Sequence, residues 1–158
     1  MRNRALRISM TGLVTAAAGA ATAYAVALGG EYQGEIRGDP AASLAFDITR
    51  TDSGRRRVTN VIASGLNYRC EEGAPDQTPG VELQRGFRIK RDRTFGGHAN
   101  AVILGFDPPA RFRGKVRRNG RVFGTLRLRG ELDPVDRPDV ECRTGLQEWK
   151  AKRVPPLR

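Results

Sequence analysis

The sequence predicts an all-β domain. We expect a single antiparallel β-sandwich or small β-barrel of about eight or nine short strands, following an N-terminal signal segment. Three observations carry this. Apolar residues recur with period two along most of the chain. Turn-forming clusters interrupt that pattern at short intervals, in keeping with 19 Gly and 9 Pro among 158 residues. No window carries the apolar stripe of a helix, and nothing reads as strand–helix alternation.

Tyr32, Gly34 and Ile36 alternate with Gln33, Glu35 and Arg37, and Leu44, Phe46 and Ile48 alternate with Ala45, Asp47 and Thr49. Gly38-Asp39-Pro40 separates these runs as a turn, and Asp52-Ser53-Gly54 marks the next. A third strand is expected from Val58 to Cys70. Its inward positions change parity between Ala63 and Leu66, which predicts a β-bulge at Ser64-Gly65. Glu71 to Gly80 reads as a surface loop. Val81, Leu83, Phe87 and Ile89 share one face. Arg85 falls on that face too, and Gly86 beside it suggests a local bulge that turns it outward. Arg91-Asp92-Arg93 predicts a tight turn into Thr94–Gly97, and Ala101 to Phe106 a separate short strand.

The clearest element is a hairpin from Ala110 to Leu132. A two-residue Asn119-Gly120 turn would set Val122 opposite Arg117 and mix the faces. A loop of Arg118, Asn119 and Gly120 pairs Val116 with Val122, Phe112 with Leu126 and Ala110 with Leu128. Gly120 then takes the positive φ of a G1 bulge. The face pattern selects this register, because a one-residue slip inverts every side chain. It also sets Gly114 opposite Gly124 on the inner side, leaving a gap. Trp149, the single Trp, shares a face with Ala151 on the last strand and is expected to cover the glycine pair.

Residues 1–27 read as a signal peptide. Arg2, Arg4 and Arg7 precede an uncharged stretch from Thr11 to Leu28, and Ala23-Tyr24-Ala25 and Ala25-Val26-Ala27 both fit a small-residue cleavage site. An uncleaved anchor is the alternative, though the stretch is Ala-rich and only marginally long for a bilayer span. The remainder is one all-β domain, 28–154, with a short tail, 155–158. Export places the protein in an oxidising compartment. One Cys70–Cys142 disulfide is then the simplest reading of the 2 Cys, with two buried free thiols as the alternative. Such a long loop is worth about 4 kcal/mol in the chain-entropy treatment.

The ending Cys142-Arg143-Thr144-Gly145-Leu146-Gln147-Glu148-Trp149-Lys150-Ala151-Lys152-Arg153 follows a Cys-x-Thr-Gly-x-x-x-Trp-x-Ala-x-Arg pattern. Together with Tyr32-Gln33-Gly34 at the start and Cys70 closing a long strand, it resembles a group of small, uncharacterised secreted all-β domains of high-GC bacteria. The resemblance spans most of the mature chain. It implies a β fold and a paired Cys70–Cys142, and brings no established activity.

Composition excludes several chemistries. One His cannot supply a two-His or three-His zinc site, and 2 Cys cannot hold a four-cysteine cluster. No phosphate-binding loop, dinucleotide fingerprint or Gly-x-Ser-x-Gly elbow is present. Glu131, Asp133, Asp136, Asp139 and Glu141 lack the spacing and central Gly of a calcium loop and read as a charge-balancing acidic segment. No catalytic residue, metal or cofactor is assigned.

The chain is basic, with 28 Lys+Arg against 17 Asp+Glu and a formal net charge of +11. The excess of Arg over Lys is what a GC-rich genome gives and is not read as a choice of Arg for bidentate recognition. The candidate site is the outer face of the hairpin: Arg111, Arg113, Lys115, Arg117, Arg121, Arg127 and Arg129, beside Arg118 and with no acid from Ala110 to Gly130. Like charges opposed across strands destabilise a hairpin unless counterions, an acidic strand or a polyanionic partner offset them. A solvated, aggregation-resistant edge is the competing reading. Arg55-Arg56-Arg57 reads as a solvated loop. Only Phe123 would share the basic face, so a base-stacking platform is not expected.

The expected function is a secreted or envelope-associated, non-catalytic binding or structural module. It would contact an anionic envelope polymer or lipid headgroups by charge, not by base or sugar readout. Specific nucleic-acid readout and a transmembrane span in the mature chain are not expected; oligomeric state is left open. The alternatives are a small secreted hydrolase using carboxylates or His98, which is placed near a strand end, and a barrel holding an apolar ligand.

Overall fold

The structure, a computed structural model, describes residues 29–71, 76–78, 80–103, 107–130 and 140–155. The expected signal segment, Phe106, Leu132, and Glu131 to Asp139 of the acidic segment lie outside these residues. Among the described residues there are twelve strands: β1 (Gly30–Ile36), β2 (Asp39–Arg50), β3 (Arg56–Ser64), β4 (Asn67–Cys70), β5 (Asp76–Gln77), β6 (Val81–Leu83), β7 (Phe87–Arg88), β8 (Thr94–Val102), β9 (Pro109–Val116), β10 (Val122–Gly130), β11 (Cys142–Arg143) and β12 (Gln147–Arg153). All neighbours pair antiparallel. Eight of the strands, in the order β12-β1-β2-β3-β6-β8-β9-β10, form a barrel that closes where β10 returns to β12. The all-β expectation therefore resolves to a barrel, and closure removes the exposed edges that a sandwich would leave.

The hairpin has the register that its face pattern selects. Val116 faces Val122, Gly114 faces Gly124, Phe112 faces Leu126 and Ala110 faces Leu128. The Arg117 amide donates to the Arg121 carbonyl at 2.8 Å, and Gly120 takes φ 78°. Arg85 is exposed, as expected. β6 and β7 are two parts of one strand beside β3, and the segment between them swings Arg85 outward, where its Nη1 donates to the His98 carbonyl at 3.2 Å.

Four elements differ from the sequence expectation. The first turn is only Arg37-Gly38, with Gly38 at φ 79° and Asp39 already opposite Ile36 in β2. The expected third strand is two strands. β3 ends at Ser64, and Gly65, at φ 67°, lets the chain leave the barrel; a Cβ there would lie 2.8 Å from the Ala41 carbonyl. β4 then pairs with β11 and β5 over the end of the β1–β2 turn, where Asn67 donates to Asp39. The parity repair within β3 falls at Asn60 (φ 51°), opposite the register shift between Ala45 and Asp47, so that Val58 and Val61 both point inward. Finally, β8 is one continuous strand through Gly96-Gly97-His98, so His98 sits mid-strand, and the loop after Glu71 contains β5.

Inward side chains fill the barrel, as an eight-stranded barrel permits. Phe46 sits among Tyr32, Phe95, Phe112 and Trp149, with ring centroids 5.2 to 6.5 Å away. Trp149 stacks on Phe112 at 5.2 Å with an interplanar angle of 12°. The glycine gap is filled by two rings rather than one. A Cβ on Gly124 would lie 2.4 Å from Trp149 Cζ2 and 1.9 Å from the Arg113 carbonyl oxygen, whereas one on Gly114 would lie 2.3 Å from Phe95 Cζ. Gly124→Ala and Gly114→Ala should each destabilise by about 1–3 kcal/mol through overpacking. Urea denaturation of each variant reads this directly, and a midpoint equal to the native one would show that the rings are not seated on these glycines.

Cys70 and Cys142 form a disulfide across a sequence separation of 72. They lie opposite each other in the β4–β11 pair, so the bond staples the excursion after Gly65 to the strand that leads into β12.

Candidate functional site: a cationic outer face

The hairpin places its inward positions in the core, so the alternate positions must face out. Arg111, Arg113 and Lys115 on β9 and Arg127 and Arg129 on β10 are exposed, as are Arg117, Arg118 and Arg121 around the turn. The seven predicted cations, with Arg118 beside them, thus share one side of the barrel.

Cross-strand rows show what surrounds them. Arg111 lies between His98 of β8 and Arg127 of β10. Arg113 lies between Gly96 and Thr125, and Lys115 between Thr94 and Phe123. The rows containing Arg111 and Arg113 therefore have no acid on β8, β9 or β10. One row further, Arg129 faces Arg143 of β11, which faces Arg69 of β4. There the charge is partly offset. Arg129 Nε donates to Glu141 Oε1 at 2.6 Å, and this bond, helped by the negative charge, raises the guanidinium pKa above its ordinary value. Glu141 is the described member of the predicted acidic segment, so its charge-balancing role is seen at this one residue.

The structure places Phe123 on this face, as expected, and adds neighbours that sequence reasoning missed. Phe123 is half-buried on the outer face, with the Arg117 guanidinium carbon 4.0 Å from its ring centroid. On β12, Lys150 opposes Phe123 and Glu148 opposes Thr125. Lys150 Nζ donates to Glu35 Oε1 at 2.6 Å, which holds the Glu35 carboxyl below its usual range. Arg37 Nη1 donates to Glu148 Oε2 at 2.8 Å. These exposed pairs act as surface ion pairs, each weak in water. Arg56 and Arg57 belong to β3 rather than to a loop, and Arg57 is bound to the Gly86 carbonyl at 3.1 Å.

A groove of about 780 Å³ runs beside this face, bordered by Glu35, Asp39 and Glu148 among others. Its carboxylates already have partners. Glu35 and Glu148 hold the cations just named, and Asp39 accepts from Asn67 and from the Ala41 amide at 3.2 Å. His98 is exposed, and no described hydrogen bond joins it to a serine. Ser43 bonds Ser64 at 2.8 Å and Ser53 bonds Thr51 at 3.0 Å. Among the described residues no cluster of three or more His, Cys, Asp or Glu could hold a metal ion, and no helix is long and apolar enough to cross a membrane.

Fold and site together define a closed antiparallel barrel with a packed axis, one disulfide and a cationic outer face. No protein-family model, curated protein or solved structure matches the chain.

Proposed function

We propose that this protein is a secreted or envelope-associated, non-catalytic β-barrel module that binds polyanions through the outer face of the β9–β10 hairpin. One observation carries the reading: Arg111 and Arg127 stand opposite each other, with His98 on the next strand and no acid in their row on β8, β9 or β10. Like charges opposed across strands are destabilising, and an anionic ligand relieves that cost. Arginine adds a planar fork that binds phosphate, sulfate or carboxylate bidentately. The Cys70–Cys142 disulfide fits an oxidising compartment. The packed axis favours contact on the outside over a ligand held within. The resemblance to small secreted domains of high-GC bacteria is part of this proposal and rests on the ending from Cys142 to Arg153, on Tyr32-Gln33-Gly34 and on Cys70.

Retention on heparin and on a plain sulfonate exchanger tests it. The native protein should leave heparin at clearly higher salt than the exchanger. A variant with Arg111, Arg113, Arg117, Arg121 and Arg127 changed to Gln should lose that excess. Equal elution of the native protein from both columns would mean that the face is solvated charge and not a binding site.

A further inference from the structure

Phe123 is an aromatic ring placed among cations where water can reach it. Lys115 and Lys150 flank it across the strands, and the Arg117 guanidinium covers it at 4.0 Å. Three surface hollows meet at this ring. One is the groove of about 780 Å³ leading to Pro40, one of about 550 Å³ lies over Gly96 and Gly114, and one of about 410 Å³ reaches toward Gln33 and Arg121. No other residue borders all three.

The linings differ in charge. The hollow over Gly96 is bordered by Lys90, Arg113 and Lys115 and carries no acid. The groove toward Pro40 is bordered by Asp39, held by Asn67, and alternates Glu35 and Glu148 with Lys150 and Arg37. A phosphodiester chain has an anion at every unit, and would set phosphates against those two carboxylates. A polysaccharide whose carboxylates are separated by neutral sugars would set hydroxyls there instead, donating to Glu35 and Glu148. Its carboxylates would fall to Arg113 and Lys115, and the apolar face of one sugar ring would rest on Phe123. The cation–π contact from Arg117 is weak at an exposed site, so the sugar can displace it. A single ring does not make the successive stacking platform that single-stranded nucleic acid uses.

We infer that the basic face binds a carboxylate-bearing polysaccharide, with one sugar ring seated on Phe123 and the flanking cations holding its carboxylates. This rests on the polyanion reading and specifies the polymer.

The test compares short hyaluronan and thymidylate oligomers as ligands for the native protein, Phe123→Leu and Phe123→Trp. The native protein should prefer hyaluronan. Phe123→Leu should weaken that binding about tenfold, the effect of losing one aromatic hot spot, and Phe123→Trp should stay within about twofold of native. Sulfonate retention and melting temperature should be alike in all three, since the ring is outside the core. Hyaluronan binding by Phe123→Leu equal to native, or absent in the native protein, overturns the inference. So does a Phe123-dependent preference for thymidylate, which would assign the face to single-stranded nucleic acid. Heparin retention that stays arginine-dependent in any of these cases leaves the broader polyanion reading standing.

Discussion

Trp149→Ala should remove about 3–5 kcal/mol of stability, the range for deleting a buried large aromatic. The indole is 3% exposed and touches Phe46, Phe95 and Phe112, so no single neighbour can collapse into the space left behind. Its position adds to the effect. β12 pairs with β1 through Trp149 opposite Ile36 and with β10 through Trp149 opposite Gly124, so this residue sits on the strand that closes the barrel. Trp149 Nε1 is buried with no hydrogen-bond partner among the described residues. An unsatisfied buried donor costs about 1–3 kcal/mol. Trp149→Phe removes that donor along with part of the ring, and should therefore cost much less than Trp149→Ala. Urea unfolding of the three proteins measures both differences. A loss below about 1 kcal/mol for the alanine variant would contradict the packing described, since cavities of this kind always cost more.

Reduction of the disulfide should cost about 4 kcal/mol in the chain-entropy treatment, because the bond closes a long loop. The sequence separation of 72 places β5 to β10 inside that loop. The double variant Cys70→Ser with Cys142→Ser should unfold at the same urea concentration as the reduced native protein, and should not respond to reductant. Only the native protein should shift on reduction. If reductant leaves the native midpoint unchanged, the stapling of β4 to β11 contributes nothing to the folded state.

What could be read from the sequence was local. The hairpin register followed from the conflict between faces in a two-residue turn, and Gly120 supplied the positive φ that the longer loop needs. The seven outer cations followed from the same register. Non-local features were hidden. Period-two counting failed in β8 because Gly96 and Gly97 have no side chains to show a face, which split one strand into two. At Gly65 the parity change predicts a bulge, whereas the chain there changes neighbours from β2 to β11; only pairing partners distant in sequence distinguish the two. The ring above Gly114 proved to be Phe95, which no hairpin-local pattern could supply. The groove at Phe123 was equally invisible, because it is assembled from β1, β10 and β12 after closure. The hairpin register shows only the outward Phe123 opposite Lys115; Lys150 joins it through the distant β10–β12 pairing.

The most direct measurement is the affinity for heparin fragments across a range of sodium chloride concentrations, made in parallel on the native protein and on the variant with Arg111, Arg113, Arg117, Arg121 and Arg127 changed to Gln. Polyanion binding releases counterions, so log affinity should fall linearly with log salt. The variant should bind more weakly at every salt concentration and with a distinctly shallower slope, because fewer ionic contacts are made. Identical affinities and slopes for the two proteins would mean that the hairpin face takes no part in binding.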